Sequence, residues 1–116
     1  QQSFQFEGES GMLKMQQIMD QLRNDPPKTI GGLPVTNIAD YEQSISTCVE
    51  TGAVTNLTLP KSNVLAFTLT DGASVVIRPS GTEPKIKAYY TTTGKDRASA
   101  AALEAKLQED FSGLLQ

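Results

Sequence analysis

The sequence predicts an α+β domain: an antiparallel β-sheet of about four strands with helices packed on one face. Three observations carry this reading. Apolar residues recur at helical spacing near both ends of the chain. Between them lie β-prone runs separated by Gly-Gly and Asp-Gly turns, which join antiparallel strands. At 116 residues, without internal repeats, the chain suits a single domain spanning residues 1–116.

The first helix is read in GESGMLKMQQIMDQLRNDPP. Ser10 is its expected N-cap, Met12, Met15, Ile18, Met19 and Leu22 form the core-facing stripe, and Pro26 with Pro27 end it. TIGGLPVTNIADY then has short β-prone pieces around a Gly-Gly-Leu-Pro turn, a hairpin pattern. Residues 42–63 are less regular, with Gly52, Asn56 and LPKSN as loop signals and a short helix allowed over residues 41–49.

The next run is clearer. VLAFTLT alternates Leu65, Phe67 and Leu69 on one face, Asp71-Gly72 is a two-residue hairpin turn, and ASVVIR returns as the partner strand. Arg78 therefore stands at a strand end. A further strand, IKAYYTTT, follows, and its period of two puts Lys85 and Lys87 on one side and Tyr89 and Tyr90 on opposite faces. The chain closes with a helix in KDRASAAALEAKLQEDFSGLLQ, with Asp96 as N-cap and Leu103, Leu107, Phe111 and Leu114 as its apolar stripe.

Composition excludes several functions. A net charge of -3 argues against general nucleic-acid binding, which needs clustered basic surface. No window approaches a membrane span, and QQSFQFEGESG lacks the pattern of a secretory signal, so a cytoplasmic domain is expected. Cys48 is the only cysteine, which forbids an internal disulfide and suits a reducing compartment; it has no visible activating partner and reads as a buried or inert thiol. With no histidine, Ser-His and Cys-His nucleophilic systems and a zinc site cannot be assembled from this chain alone.

The chemistry is concentrated in RPSGTEPKIKAYY, residues 78–90. Arg78 offers a planar fork of donors that matches two oxygens of a phosphate or carboxylate. Ser80 and Thr82 add hydroxyls, and Gly81 allows a tight turn that brings backbone N–H groups near an anion. Pro79 and Pro84 stiffen the turn, and Lys87 closes the far side as a point charge. Glu83, the only carboxylate in the group, is expected to turn away to backbone or a neighbouring lysine, because a phosphate would repel it. The loop reads as a phosphate binder without a general base. No catalytic residue and no metal ligand is assigned in the chain.

RPSGTEPKIK resembles the phosphate-binding loop in the C-terminal domain of the α-D-phosphohexomutases, the phosphoglucomutase and phosphomannomutase superfamily. PPKTIGGLPVTNIADY, LPKSNVLAFTLTDG and KIKAYY extend the resemblance over nearly the whole chain, towards the phosphoglucomutase and phosphopentomutase branch. The resemblance implies a TATA-box-binding-protein-like fold and one domain excised from a four-domain enzyme. In such an enzyme a phosphoserine exchanges a phosphoryl group with a sugar monophosphate through a bisphosphate. It also implies that Arg78, Ser80, Gly81, Thr82 and Lys87 hold the phosphate not being transferred; the position of Lys87 is often arginine in the family. Mg2+ and a glucose 1,6-bisphosphate activator are implied for the parent enzyme, with no cofactor bound by this domain. The implied partners are a phosphosugar substrate and the remaining domains, with neither nucleic acid nor membrane.

No TASHNP-like phosphoserine loop, DGDxDR-like magnesium loop or GExSGH-like sugar loop is present. The isolated chain is therefore expected to be inactive, since phosphoryl transfer depends on positioning and a charge-neutralising metal. Glucose is favoured as the parent's sugar through the branch resemblance, with mannose and pentose as alternatives. Two other readings of the chain are a stand-alone anion-binding or regulatory module, and an interaction domain whose loop is only a turn. Lys61, Ser62 and Asn63 are read as an ordinary loop that borders the cleft at most.

Overall fold

The computed structural model describes residues 2–6, 10–58, 60–80, 83–92 and 97–114, with the backbone alone for Gln2, Asp71, Arg97 and Leu114. In chain order the elements are β1 (Gln2–Gln5), α1 (Gly11–Asn24), β2 (Thr29–Ile30), β3 (Leu33–Asp40), β4 (Ile45–Cys48), β5 (Val54–Asn56), β6 (Leu65–Leu69), β7 (Ser74–Pro79), β8 (Lys85–Thr91) and α2 (Arg97–Leu114). All strand pairs are antiparallel. The sheet order is β1-β8-β7-β6-β3-β4-β5, with β2 paired to β3 beside this path.

The middle of that order, β8-β7-β6-β3, is the four-stranded sheet expected from the alternating runs. The sheet is wider than about four strands because β1 extends one edge and β4 with β5 extend the other. The helix allowed over residues 41–49 does not form. Asp40 instead accepts backbone hydrogen bonds from Glu42 and Gln43 at 3.1 and 3.3 Å, and Ser44 takes a positive φ of 59°. That turn sends Ile45–Cys48 back along β3, where Ile45 and Thr47 suit a pleated edge.

Both helices lie on one face. Met15, Met19 and Leu22 from α1 and Leu107 and Phe111 from α2 meet Leu65, Phe67, Leu69, Val75, Ile77, Ile86 and Ala88 from the strands in one buried core. Phe111 is fully buried, with its ring edge-on to Phe4 and Tyr90 at centroid distances of 6.2 and 6.3 Å. Met12 departs from the expected α1 stripe and is exposed. Ser10 occupies the N-cap of α1, its carbonyl accepting from the Lys14 amide at 2.9 Å, but its side chain makes no capping bond. The N-cap expected at Asp96 and the stripe position Leu114 lie outside the described residues or side chains.

Two hairpins fix the register. Gly31 and Gly32, both at positive φ, join β2 to β3 in a two-residue turn, as the Gly-Gly signal predicts. The turn between β6 and β7 is longer than the expected Asp-Gly pair. Thr70–Gly72 forms a 3-10 turn ending at a positive φ at Gly72, so three residues separate the strands beyond the Leu69 to Ala73 hydrogen bond. Within the described residues no helix is long and apolar enough to cross a membrane.

The C-terminal end of α1 is fastened by Arg23, whose Nε donates to Asp40 Oδ2 at 2.8 Å and whose Nη2 donates to Asn63 Oδ1 at 2.8 Å. The Arg23 and Asp40 side chains are only 9% and 8% exposed. One buried ion pair thus joins α1, the end of β3 and the loop before β6.

Candidate functional site

Alternation along β7 and β8 assigns every second residue to the face opposite the helices. Val75 and Ile77 point into the core, leaving Ser74, Val76 and Arg78 on the open face. On β8, Ile86 and Ala88 are buried, leaving Lys85, Lys87 and Tyr89 on that same open face. The register pairs Arg78 with Lys87 and Val76 with Tyr89. On the other side of Lys87, β1 contributes Ser3.

The result is an open depression of about 310 Å³ lined by Arg78, Pro79, Ser80, Glu83, Lys85, Lys87 and Tyr89. Of the sequence-derived site residues it brings together Arg78, Ser80 and Lys87. Gly81 and Thr82 lie outside the described residues. The lining holds three cations and one carboxylate. Glu83 pairs with Lys85 at 3.7 Å, as expected for a carboxylate turned to a neighbouring lysine. Among the described residues Arg78 and Lys87 have no ion-pair partner, and neither lies in the core. Among the described residues the guanidinium and the ammonium are therefore charges available to a ligand.

Short hydrogen bonds set the loop's shape. The Ser80 amide donates to the Lys85 carbonyl at 2.8 Å, continuing the strand pairing past Arg78. Ser80 Oγ accepts from the Glu83 amide at 3.2 Å. The Lys85 amide donates to the Glu83 carbonyl, and Phe6 donates to the Pro84 carbonyl, both at 2.8 Å. The Ser80 N–H is thus spent on closing the loop. Gly11, at the start of α1, backs the loop from behind: a side chain there would collide with the Phe6 carbonyl and meet Pro84. The loop stands on β1 and α1 as well as on its own strands.

Lys61 and Ser62 line a neighbouring open depression with Tyr41, Pro60, Val64 and Val76, whereas Asn63 is turned back to Arg23. Because Val76 pairs with Tyr89, the two depressions adjoin on one sheet face. Residue patterns gave no sign of the Arg23 to Asp40 pair, which joins positions 17 residues apart on different elements. Cys48 also departs from its expected environment. It is partly exposed on β4, and hydrogen bonds from the Thr51 side chain and amide hold its thiol below the usual range. Among the described residues no group of three His, Cys, Asp or Glu is placed to hold a metal ion.

Comparison with known proteins agrees with the fold. The family model described as phosphoglucomutase/phosphomannomutase, C-terminal domain, matches residues 14–109. A phosphoglucomutase of Staphylococcus epidermidis is 42% identical over 89 residues, covering 77% of this chain and 16% of that protein. One of Staphylococcus saprophyticus is 43% identical over 86 residues, covering 74% and 15%, and one of Staphylococcus aureus is 41% identical over 89 residues, covering 77% and 16%. The chain thus spans about 16% of the length of the curated relatives it matches. No solved structure gives a significant match. Residue pattern, sheet and matched span agree, and the chain belongs to the phosphoglucomutase/phosphomannomutase family as its C-terminal domain.

Proposed function

We propose that this domain holds the phosphate of a phosphorylated sugar within a phosphoglucomutase, the phosphate that is not being transferred. The observation that carries the reading is the Arg78–Lys87 pair, two cations set opposite each other in one depression without a carboxylate partner among the described residues. Arg78 supplies the fork for two phosphate oxygens and Lys87 the second charge. Ser80 shapes the loop, and Gly81 and Thr82, next in the sequence, complete the set of phosphate ligands in this reading.

The parent enzyme then interconverts glucose 1-phosphate and glucose 6-phosphate through a bisphosphate. Its phosphoserine, Mg2+ and sugar-selecting loop belong to other domains, and the activator is glucose 1,6-bisphosphate. This chain's residues bind and orient. Binding energy from the remote phosphate lowers the barrier by fixing the reacting end in place. The relatives named as phosphoglucomutases favour glucose over mannose or pentose as the sugar.

The test is Arg78→Ala in the full-length protein that carries this domain. Loss of a charge-assisted bond of about 1.5 to 3 kcal/mol predicts a fall in kcat/KM of at least tenfold with the fold intact. Unchanged kinetics would contradict the role.

A further inference from the structure

The cations explain why a phosphate would settle in the depression, but they are indifferent to what the phosphate is attached to. Tyr89 lines the same depression and is 38% exposed, one of the few large side chains left open. It stands two residues beyond Lys87 on the same face of β8, roughly 7 Å along the strand. It is diagonal to Arg78 across the β7–β8 ladder and flanked by its cross-strand partner Val76. Val76 itself lies outside the lining, so the apolar surface at this side of the depression is the Tyr89 ring, where the Arg78 side is charged. One end suits an anion, and the other suits a ring with C–H faces. A phosphate and the sugar it esterifies have that polarity. Volume agrees, since about 310 Å³ falls at the lower end of small-molecule sites and exceeds what a lone phosphate fills.

We propose that Tyr89 is a positioning residue on which the sugar ring of the phosphorylated ligand lies while Arg78 and Lys87 hold its phosphate. The inference rests on the phosphate-binding reading and adds to it a preference for phosphorylated sugars over free phosphate. An aromatic face accepts a ring in either orientation and fixes no hydroxyl, so the contact serves the 1-phosphate and the 6-phosphate alike.

The experiment is an amide-detected NMR titration of this chain with inorganic phosphate and, separately, glucose 6-phosphate. It is run on the wild type, Tyr89→Ser and Tyr89→Phe, and the readout is the ratio of the two dissociation constants. The expected ratio favours glucose 6-phosphate by about 2- to 12-fold in the wild type, falls towards one in Tyr89→Ser and returns in Tyr89→Phe. A wild-type ratio of one, or a ratio unchanged in Tyr89→Ser, overturns the inference and leaves the phosphate grip standing. If neither ligand shifts Ser80 or the start of β8 in the wild type, the phosphate reading fails and this inference falls with it. A dispersed spectrum for each variant confirms that it is folded.

Discussion

Arg78 and Lys87 face each other across the β7–β8 ladder on the side of the sheet that carries no helix. Like charges placed directly opposite raise the energy of a sheet, by roughly 0.2 to 1 kcal/mol, unless an anion joins them. The ligand-free domain carries that cost. Arg78→Gln is therefore expected to leave stability unchanged or slightly raised, while weakening phosphate binding about tenfold or more. Denaturant unfolding with and without phosphate measures both effects; a large loss of stability without ligand would mean that Arg78 holds the fold.

A second expectation concerns Arg23 and Asp40. Asp40→Ala removes the buried partner of Arg23 but leaves Glu42 at 3.4 Å and Asp20 at 3.6 Å, both half-exposed, so the cost in urea unfolding should be about 1.5–3 kcal/mol, that of one charge-assisted bond. The turn into β4 loses its acceptor in the same variant. A cost below 1 kcal/mol would show that water reaches Arg23.

Two glycines with similar backbone but different surroundings make a paired test. Gly31 and Gly52 both have positive φ, at 62° and 76°. A Cβ on Gly31 would lie 2.6 Å from Leu107 Cδ2 in the core, whereas one on Gly52 meets nothing within 4 Å. Gly52→Ala should cost roughly 1–2 kcal/mol, the conformational penalty alone. Gly31→Ala should cost clearly more, and equal Tm losses would contradict the packing account.

Tyr90 predicts the alkaline limb of stability. Burial, reinforced by the charge of Glu104, pushes its hydroxyl well above the ordinary value of 10. Below that value the hydroxyl is protonated in both states and the contribution is fully present. As pH rises past 10 the unfolded chain ionises first, so stability falls towards the raised folded pKa. Tyr90→Phe should flatten unfolding free energy between pH 9.5 and 11 relative to wild type; parallel curves would contradict this.

The helices and the strands β6, β7 and β8 were legible through their periods, whereas β3, whose register shifts between Val35 and Asn37, was legible mainly through its Gly-Gly turn. Met15, Met19 and Leu22 mark one helix, and Leu65, Phe67 and Leu69 mark one strand. The edges were not. β1 offers only QSFQ, and β5 is three exposed residues whose pairing depends on the preceding turn. In the candidate site, the meeting of Arg78 with Lys87 follows from hairpin register and could be read from the sequence. Arg23 meets Asp40, 17 residues on, only because the end of α1 packs against the end of β3, and Thr51 lowers Cys48 only because the β4–β5 turn places it there. Neither contact leaves a local pattern.

The most direct test of the central claim is a titration of the chain with glucose 1-phosphate, glucose 6-phosphate and plain glucose, followed by backbone amides at pH 7.5 and low salt. Both phosphates are expected to shift Ser80 and the start of β8 at millimolar-scale concentration, and glucose is not. Binding should weaken below pH 6 as the phosphate loses its second charge, and weaken with added salt. Saturable shifts from glucose at the same amides, or shifts from the phosphates that persist undiminished in Arg78→Ala, would contradict a site built on that guanidinium.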